Sequence, residues 1–287
     1  MDVTEYEARR TTVDTPSGQV GYIETGDPQA PAALFVHGVI VNSYLWRHQL
    51  DDLSDLRRCI AVDLLGHGHS IARGSDHSFT AQARMLAEFL DALGIEQVDL
   101  IANDSGTGIA QLFAVAEPDR VRTLALTNGD VHDNWPPADF AGFVDMVRDG
   151  GLATTVQAML DDPHRYRAAD GLGGAYARPD TVSDDTVTAY LLPYLDRPDT
   201  VAGLEAFILA FDPAQTVAVE NELKALHVPT LVVWGTGDIF FDVTWSHWLA
   251  RTLPDVRRRT EIPGAHLLLP EEYPSRLNAE LRDHLTR

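Results

Sequence analysis

The stretch Val98-Asp99-Leu100-Ile101-Ala102-Asn103-Asp104-Ser105-Gly106-Thr107-Gly108 joins an apolar run to a glycine-rich continuation. The apolar half predicts a buried strand that ends at Ala102, and the residues from Gly106 onward predict a helix. Ala102 and Gly106 stand two positions before and after Asp104, so small residues flank that carboxyl on both sides of the bend. This order of strand, sharp turn and helix predicts an α/β unit with Asp104 at its turn.

The same alternation of strands and helices continues on both sides of this unit. A hairpin is predicted for residues 12–25, with Pro16-Ser17-Gly18 as its turn. Apolar runs predict further strands at Ala32–Val36, Cys59–Leu64, Val121–Leu126, Pro229–Trp234 and Arg258–Ile262. Helical periodicity predicts helices at about Ser43–Leu53, Phe79–Leu93, Val243–Leu253 and Glu271–Leu285. Such an alternation implies a mostly parallel sheet with helices on both faces.

The alternation is interrupted once, by a long segment in which no clear strand is found. Trp135-Pro136-Pro137 opens this segment, and helical stretches separated by Asp, Gly and Pro follow. We therefore predict an α/β core in two parts, residues 1–131 and residues 214–287. A helical insertion, residues 132–213, separates the two parts.

Composition and charge exclude several classes of partner. The formal net charge of −21 repels nucleic acid and anionic membranes, so neither is expected as a partner. The acidic start Met1-Asp2-Val3-Thr4-Glu5 is unlike a secretory signal, and no apolar run approaches the roughly 18 residues of a membrane span. Cys59 is the only cysteine, which fits a reducing compartment. We expect a cytoplasmic protein that acts on a small molecule, either as a monomer or as a homodimer.

The turn at Asp104 matches the nucleophile elbow, in which the nucleophile stands between small residues where a strand meets a helix. Centring the motif on Ser105 would place two larger residues at the flanking positions, so Asp104 is favoured. Two other interpretations stay open at this stage. Aspartate also caps helices. Gly106-Thr107-Gly108 also forms half of a dinucleotide-binding fingerprint, although Gln111 stands where the third glycine belongs.

Two further polar residues end loops that follow strands of the second half of the core. Asp238 ends the loop Gly235-Thr236-Gly237-Asp238, and His266 ends the loop Pro263-Gly264-Ala265-His266. Active sites of open α/β sheets lie at the carboxyl ends of the strands. The order nucleophile, acid, histidine is the one expected of a triad on such a sheet. We therefore predict Asp104 as nucleophile, His266 as base and Asp238 as the acid that orients it.

A loop after an earlier strand completes the predicted site. His37-Gly38 ends that strand, and the backbone N–H groups of Val39 and Ser105 are expected to converge as an oxyanion hole. His37, His67 and His69 are of a residue type that binds metals, but the glycine-rich loop that holds His67 and His69 suits a structural turn. We expect neither a metal nor a cofactor.

As a set, these motifs resemble the α/β-hydrolase fold superfamily, in its haloalkane dehalogenase and epoxide hydrolase branch with an Asp nucleophile. The matching pieces lie outside the insertion: His37-Gly38, Ser43-Tyr44-Leu45-Trp46-Arg47, Asp63-Leu64-Leu65-Gly66-His67-Gly68-His69-Ser70, Asn103-Asp104-Ser105-Gly106, Asp238 and Gly264-Ala265-His266. The resemblance implies an eight-stranded, mostly parallel sheet with helices on both faces. It also implies that the insertion is a helical cap and that the protein is a hydrolase.

A carboxylate nucleophile restricts the chemistry. An aspartate with a reference pKa of about 3.9 is ionised at neutral pH and attacks without a base. Attack on a saturated carbon that carries a leaving group gives an alkyl ester of Asp104, whereas attack on an ester carbonyl gives an energetic anhydride. Water activated by His266 would then hydrolyse the ester, with the oxyanion hole stabilising this second step. The nucleophile therefore favours an epoxide or a carbon–halogen bond over a carboxylic ester.

The sequence says less about the substrate than about the reaction. Dehalogenases of this branch hold the halide with a tryptophan after the nucleophile and with a second donor, but here Ser105 and Val39 occupy those positions. Epoxide hydrolases protonate the opening oxygen with cap tyrosines; they usually also carry a proline after His-Gly, which is absent here. We expect an epoxide-like substrate in a pocket built from the following candidates: His37, Trp135, Tyr166, Tyr176, Tyr190 and Tyr194.

Three alternatives stay open from the sequence. The first is a haloalkane or haloacid dehalogenase, with Trp135 or another cap residue holding the halide. The second is an ester or lactone hydrolase that uses Ser105 as its nucleophile. The third is a non-catalytic small-molecule receptor on the same scaffold, although a receptor has no need of the set Asp104, Asp238 and His266.

Overall fold

The computed structural model describes residues 1–286, and its strands form one mixed sheet. The strands are β1 Thr11–Asp14, β2 Gly18–Thr25, β3 Ala32–Val36, β4 Arg58–Val62, β5 Ile71–Ala72, β6 Val98–Asp104, β7 Val121–Gly129, β8 Thr230–Gly235 and β9 Val256–Ile262. Along the sheet they follow the order β1-β2-β4-β3-β6-β7-β8-β9, and β5 pairs with β2 outside this path. The pairs from β4 to β9 are parallel, whereas β2 pairs antiparallel with β1, β4 and β5.

The predicted fold class is confirmed, with one correction to the strand count. Eight strands lie on the main path, and β5 makes nine where eight were expected. β5 has two residues, Ile71 and Ala72, which is too short for any alternation of apolar and polar residues to reveal it. The predicted hairpin is present as β1 and β2.

Helices connect the parallel strands and fill the insertion. They are α1 Val3–Arg9, α2 Arg47–Leu53, α3 Phe79–Ala92, α4 Ser105–Ala116, α5 Ala141–Arg148, α6 Leu152–Asp161, α7 Pro163–Arg167, α8 Asp184–Leu195, α9 Pro198–Leu209, α10 Ala214–Val217, α11 Glu220–Leu223, α12 Thr244–Thr252, α13 Leu269–Glu272 and α14 Pro274–Leu285. The single helix predicted for the C-terminus is two helices, α13 and α14, that meet at Tyr273. Pro274 causes this break, because proline disfavours helical geometry in the residue before it.

The middle of the sheet is buried on both faces. All five residues of β3 and all seven of β6 are buried. β3 accordingly appears in the sequence as an unbroken apolar run, whereas β6 is apolar except at Asp99, Asn103 and Asp104. In the register between them Val36 lies beside Ala102. The loop that follows Val36 therefore emerges next to Asp104, at the carboxyl edge of the sheet.

The segment between β7 and β8 is built from helices and short helical turns. Helices α5 to α9 occupy residues 141–209, and α10 and α11 follow before β8. The division of the chain into core and cap at residues 132 and 213 stays a prediction. Within residues 1–286, none of the helices has the length and apolarity that a bilayer crossing requires.

Candidate active site

Asp104 stands in a strained backbone conformation at the junction of β6 and α4. Its φ of 58° and ψ of −130° lie in a region that residues other than glycine rarely adopt. Such strain costs about 1–3 kcal/mol and is found where the surrounding structure enforces it, commonly at functional sites. The Asp104 side chain makes no capping hydrogen bond to α4. The interpretation of Asp104 as a side-chain helix cap therefore does not hold.

Backbone N–H groups converge on the Asp104 carboxylate. The N–H of Val39 donates to Asp104 Oδ2 at 2.9 Å, and the N–H of Ser105 also stabilises the charged form. The close approach of the two loops requires Gly38, because a Cβ there would lie 2.0 Å from Asp104 Oδ2. The structure thus brings together the two donors predicted from the sequence, and it aims them at the carboxyl group of Asp104 itself.

The environment of Asp104 changes the protonation expected from the sequence. Burial, together with the charge of Asp238, raises the pKa of Asp104 to about 7 against the opposing effect of the N–H groups of Val39 and Ser105. The ordinary pKa of an aspartate predicts a fully ionised carboxylate at neutral pH. The structure corrects this, because the side chain is 4% exposed and ionisation in a buried site is costly.

Asp238 lies in the loop after β8, held by hydrogen bonds from three donors. Its Oδ1 accepts from the N–H groups of Phe240 at 2.8 Å and Phe241 at 3.2 Å. Its Oδ2 accepts from the side-chain amide of Asn128 at 2.6 Å. Burial raises the pKa of Asp238 to about 6, and these donors, together with nearby His266, oppose the rise. Asn128, at the end of β7, therefore fixes Asp238, a role that the sequence analysis did not anticipate.

His266 is oriented by the insertion. Its Nδ1 donates to the backbone carbonyl of Gly174 at 3.0 Å, and its Nε2 lies 3.0 Å from the position that a Cβ on Gly237 would take. Among the hydrogen bonds of the described residues, none joins His266 to Asp238 or to Asp104. The structure thus places the imidazole against the acid loop without closing the predicted chain of hydrogen bonds.

A narrow pocket opens above Asp104, between the sheet edge and the insertion. The volume in which the centre of a water molecule fits is about 50 Å³, well above the roughly 10–15 Å³ that a single water requires. Its wall is mostly apolar and includes four phenylalanines: Phe140, Phe211, Phe240 and Phe241. Its polar groups are Asp104, Ser105 and Asp130, and the described residues that line it include no Lys, Arg, His, Tyr or Trp.

The four tyrosines proposed for the pocket lie elsewhere. All are fully buried, and each hydroxyl already has a partner. Tyr166 and Tyr176 bond to each other at 2.9 Å, Tyr190 donates to Glu271 at 2.6 Å, and Tyr194 donates to the Ile40 carbonyl at 2.9 Å. This corrects the expectation that they face the substrate. The hydroxyls of Tyr190 and Tyr194 join the insertion to the core, and those of Tyr166 and Tyr176 pair within the insertion. A buried hydroxyl left without a partner would be costly.

The other two pocket candidates are also structural. Trp135 stacks on Phe79 at 4.1 Å between ring centroids, and its indole N–H donates to Thr216 at 2.7 Å. His37 is fully buried, bonds the Gly38 carbonyl through Nδ1 and accepts from the Leu64 N–H through Nε2. Burial accordingly lowers the pKa of His37 to about 4. Neither side chain lines the pocket, so Trp135 has no free donor there for a halide.

Asp130 is the site residue that the sequence analysis missed. It follows Gly129, the last residue of β7, which pairs with Asp104 in the sheet, and its N–H donates to the Asp104 carbonyl at 3.3 Å. Its side chain is buried and lines the pocket. The positional rule that identified Asp238 applies equally to Asp130. The apolar run in the sequence indicates a strand that ends at Leu126, three residues before its actual end at Gly129.

Metal binding has no site in the described part of the chain. Within residues 1–286, no group of three or more His, Cys, Asp or Glu side chains is arranged to hold a metal ion. His67, one of the histidines weighed from the sequence, packs edge-on against Phe207 at 4.6 Å.

Known proteins resemble this chain over most of its length. A family model described as alpha/beta hydrolase fold matches residues 31–273. Epoxide hydrolase 3 of Xenopus tropicalis is 26% identical over 277 residues, which cover 92% of this chain and 74% of that protein. A haloalkane dehalogenase of Mesorhizobium japonicum is 38% identical over 117 residues, a stretch that spans only 41% of this chain and 38% of that protein.

A solved structure shows the same arrangement of the whole chain. The haloalkane dehalogenase DbeA from Bradyrhizobium elkani superposes with a TM-score of 0.77 at 25% identity. The superposition covers 96% of this chain and 97% of that one. The names of these relatives are those of hydrolases, and they divide between carbon–halogen and epoxide chemistry.

Proposed function

The chain belongs to the alpha/beta hydrolase fold family, and from that premise we propose that it opens neutral, apolar epoxides through a covalent ester on Asp104. One observation carries this proposal. A strained, buried carboxylate stands at the floor of an apolar pocket, and two backbone N–H groups point at it. A side chain with only a packing role has no need of such a conformation.

The first step of the proposed reaction forms a bond between Asp104 and the substrate. One oxygen of the ionised Asp104 attacks an epoxide carbon, and the carbon–oxygen bond of the ring breaks. The other oxygen, Oδ2, keeps its hydrogen bond to the Val39 N–H. Since the pKa of Asp104 is raised to about 7, we expect the rate of this step to increase with pH through that value.

The second step hydrolyses the ester. Water attacks the carboxyl carbon of Asp104, and the developing oxyanion forms where the N–H groups of Val39 and Ser105 converge. His266 acts as the base for this water, for which its imidazole leaves the Gly174 carbonyl and turns toward Asp104. Asp238, fixed by Asn128, stabilises the imidazolium that results.

The lining of the pocket supports a neutral, apolar substrate. Two carboxyl groups, Asp104 and Asp130, face the cavity, and no cation lines it among the described residues. A haloacid would bring another carboxylate next to these two carboxyl groups without a cation to pair with it, which is unfavourable. An alkyl halide lacks side-chain N–H donors for its leaving group here, because Ser105 and Val39 stand at those positions and Trp135 is bonded elsewhere.

A trapping experiment tests the proposal. His266→Gln is incubated with 1,2-epoxyhexane, and the peptides are examined by mass spectrometry for a covalent adduct. An adduct on the Asp104 peptide, absent from the control Asp104→Asn, supports the proposal. An adduct on Ser105 would instead indicate an ester or lactone hydrolase. No adduct and no turnover of epoxides, alkyl halides or esters, together with tight ligand binding, would indicate a receptor.

A further inference from the structure

Asp130 is a second carboxyl group at the floor of the same pocket. It lies directly after β7, one residue beyond the Gly129 that pairs with Asp104, and it is 3% exposed. Gly108 of α4 packs against it, since a Cβ on that glycine would lie 3.1 Å from the Asp130 Cβ. The side chain is therefore confined between α4, β6 and the cavity.

The surroundings of Asp130 favour its protonated form. No ion pair is found for it among the described residues, and burial together with the charge of Asp104 raises its pKa well above the usual range. The hydroxyl of Ser105 is the group that opposes this rise. Asp104, by contrast, has two backbone N–H donors to stabilise its negative charge. When the two carboxyl groups hold one proton between them, these contacts place it on Asp130.

We propose that Asp130 is a catalytic residue that donates its proton to the epoxide oxygen while Asp104 attacks the ring carbon. This inference rests on the proposed function, and it supplies the proton donor that the tyrosines do not provide. Tyr166 and Tyr176 bond to each other, Tyr190 bonds to Glu271, and Tyr194 bonds to the Ile40 carbonyl. None of these tyrosines lines the pocket. Among the described pocket-lining side chains, Asp130 and Ser105 are the groups besides Asp104 that can carry a transferable proton.

The proton is conserved over the cycle. In the first step the bond between Asp104 oxygen and carbon forms, the ring carbon–oxygen bond breaks, and the oxygen takes the proton of Asp130, which becomes a carboxylate. In the second step water adds to the ester carbon and gives a proton to His266. Collapse of the tetrahedral intermediate releases the diol, whose oxygen takes the proton from His266. Asp104 is left protonated and passes that proton to Asp130, which restores the starting state.

A pair of substrates isolates this role, because an epoxide oxygen needs a proton when it leaves and bromide does not. In the His266→Gln background, ester formation on Asp104 is followed by mass spectrometry with 1,2-epoxyhexane and with 1-bromohexane. Asp130→Asn, similar in shape to a protonated aspartate, should slow the epoxide reaction by about 10²- to 10⁴-fold. The bromide reaction should change less than about fivefold. Asp133→Asn, an exposed aspartate three residues away, is the control and should alter neither rate.

The pH profile gives a second test, and its first measurement uses the protein with Asp130 intact. With Asp130 present, the rate of ester formation from the epoxide should rise as Asp104 ionises and fall at higher pH as Asp130 loses its proton. In Asp130→Asn the alkaline decline should disappear. This profile decides the matter if 1-bromohexane does not react or if the variant folds poorly.

Several outcomes would overturn the role of Asp130. Equal slowing of the epoxide and the bromide in Asp130→Asn would make it structural. Normal ester formation followed by accumulation of the ester, measured with His266 intact, would make it a residue that assists hydrolysis. If neither substrate labels Asp104 while Asp130 is present, the proposed function itself fails, and this result is distinct from a defect confined to the variant.

Discussion

Two buried clusters that contain acidic side chains differ in whether their negative charge is compensated. In the first, Glu271 pairs with Arg47 at 2.9 Å and accepts from Tyr190 at 2.6 Å, while the Arg47 guanidinium lies 4.4 Å from the centre of the Tyr44 ring. In the second, Asp104 and Asp130 face the pocket without a cation. The proposed reaction gives a reason for the carboxyl groups of the second cluster to lack a counterion, because Asp104 must attack and Asp130 must carry a proton.

The difference separates a structural role from a chemical one. A buried carboxylate that has a counterion and hydrogen bonds joins parts of a fold, as Glu271 does between the insertion and the core. A buried carboxylate held without a counterion costs stability, and such perturbed groups concentrate at functional sites. The sequence does not distinguish these two roles, because an aspartate or glutamate is the same residue type whether or not a cation packs beside it in the fold.

The largest expected effect is on turnover. Asp104→Asn removes the attacking atom, and we expect turnover of 1,2-epoxyhexane to fall by about 10⁴-fold or more, which corresponds to about 5.5 kcal/mol. Ser105→Ala should retain much of the activity, because its backbone N–H remains. Steady-state kinetics on the two variants checks this, and the reverse pattern would move the nucleophile to Ser105.

The next largest effect is expected on the free energy of unfolding, at the cluster in which Arg47 compensates the charge of Glu271. Glu271→Gln leaves the buried Arg47 cation without its counterion, which should lower the free energy of unfolding by about 3–5 kcal/mol. Denaturant unfolding measures this loss. Replacing Arg47 with Met in the same chain should recover part of it. A loss below about 1 kcal/mol would mean that water compensates Arg47 and that the two clusters differ less than described.

A smaller effect of opposite sign is expected at the uncompensated cluster. The folded-state pKa of Asp104 is raised to about 7, so the folded protein binds this proton more tightly than the unfolded chain. Stability should therefore be greatest below about pH 4 as far as this group is concerned, and it should fall as the pH rises toward about 7. Since a shift of about three pKa units corresponds to about 4 kcal/mol, Asp104→Asn should gain up to about 4 kcal/mol at pH 8 and nothing at pH 3. Denaturant unfolding at both pH values measures the difference, and equal stability of the two proteins at pH 8 would contradict the raised pKa.

The smallest effect tests the tyrosines. Tyr166→Phe removes one hydroxyl from the pair with Tyr176, which should cost about 1 kcal/mol of stability. Epoxide turnover should change less than about threefold, because the hydroxyl does not reach the pocket. A loss of 100-fold or more in turnover, with stability unchanged, would indicate that Tyr166 is the proton donor after all.

Local sequence patterns predicted the fold, because each strand and each turn has its own characteristic order of apolar, polar and small residues. The run from Val98 to Ala102, the small residues around Asp104 and the loops that end in Asp238 and His266 predicted the α/β architecture and gathered these side chains at one sheet edge. Where the prediction from the sequence was wrong, at the end of β7, the cause was also local. The strand that continues from Leu126 to Gly129 carries Thr127 and Asn128, which interrupt the apolar run and hid the position of Asp130.

Tertiary structure decided what each polar side chain faces. The sequence determined that acids, a histidine and tyrosines were available; it did not determine that Tyr166, Tyr176 and Tyr190 turn toward each other and Glu271, or that His266 bonds Gly174. Those contacts join residues up to 95 positions apart, and they depend on how the insertion packs on the core. The protonation of Asp104 likewise depends on burial and neighbours, which no short stretch of sequence contains.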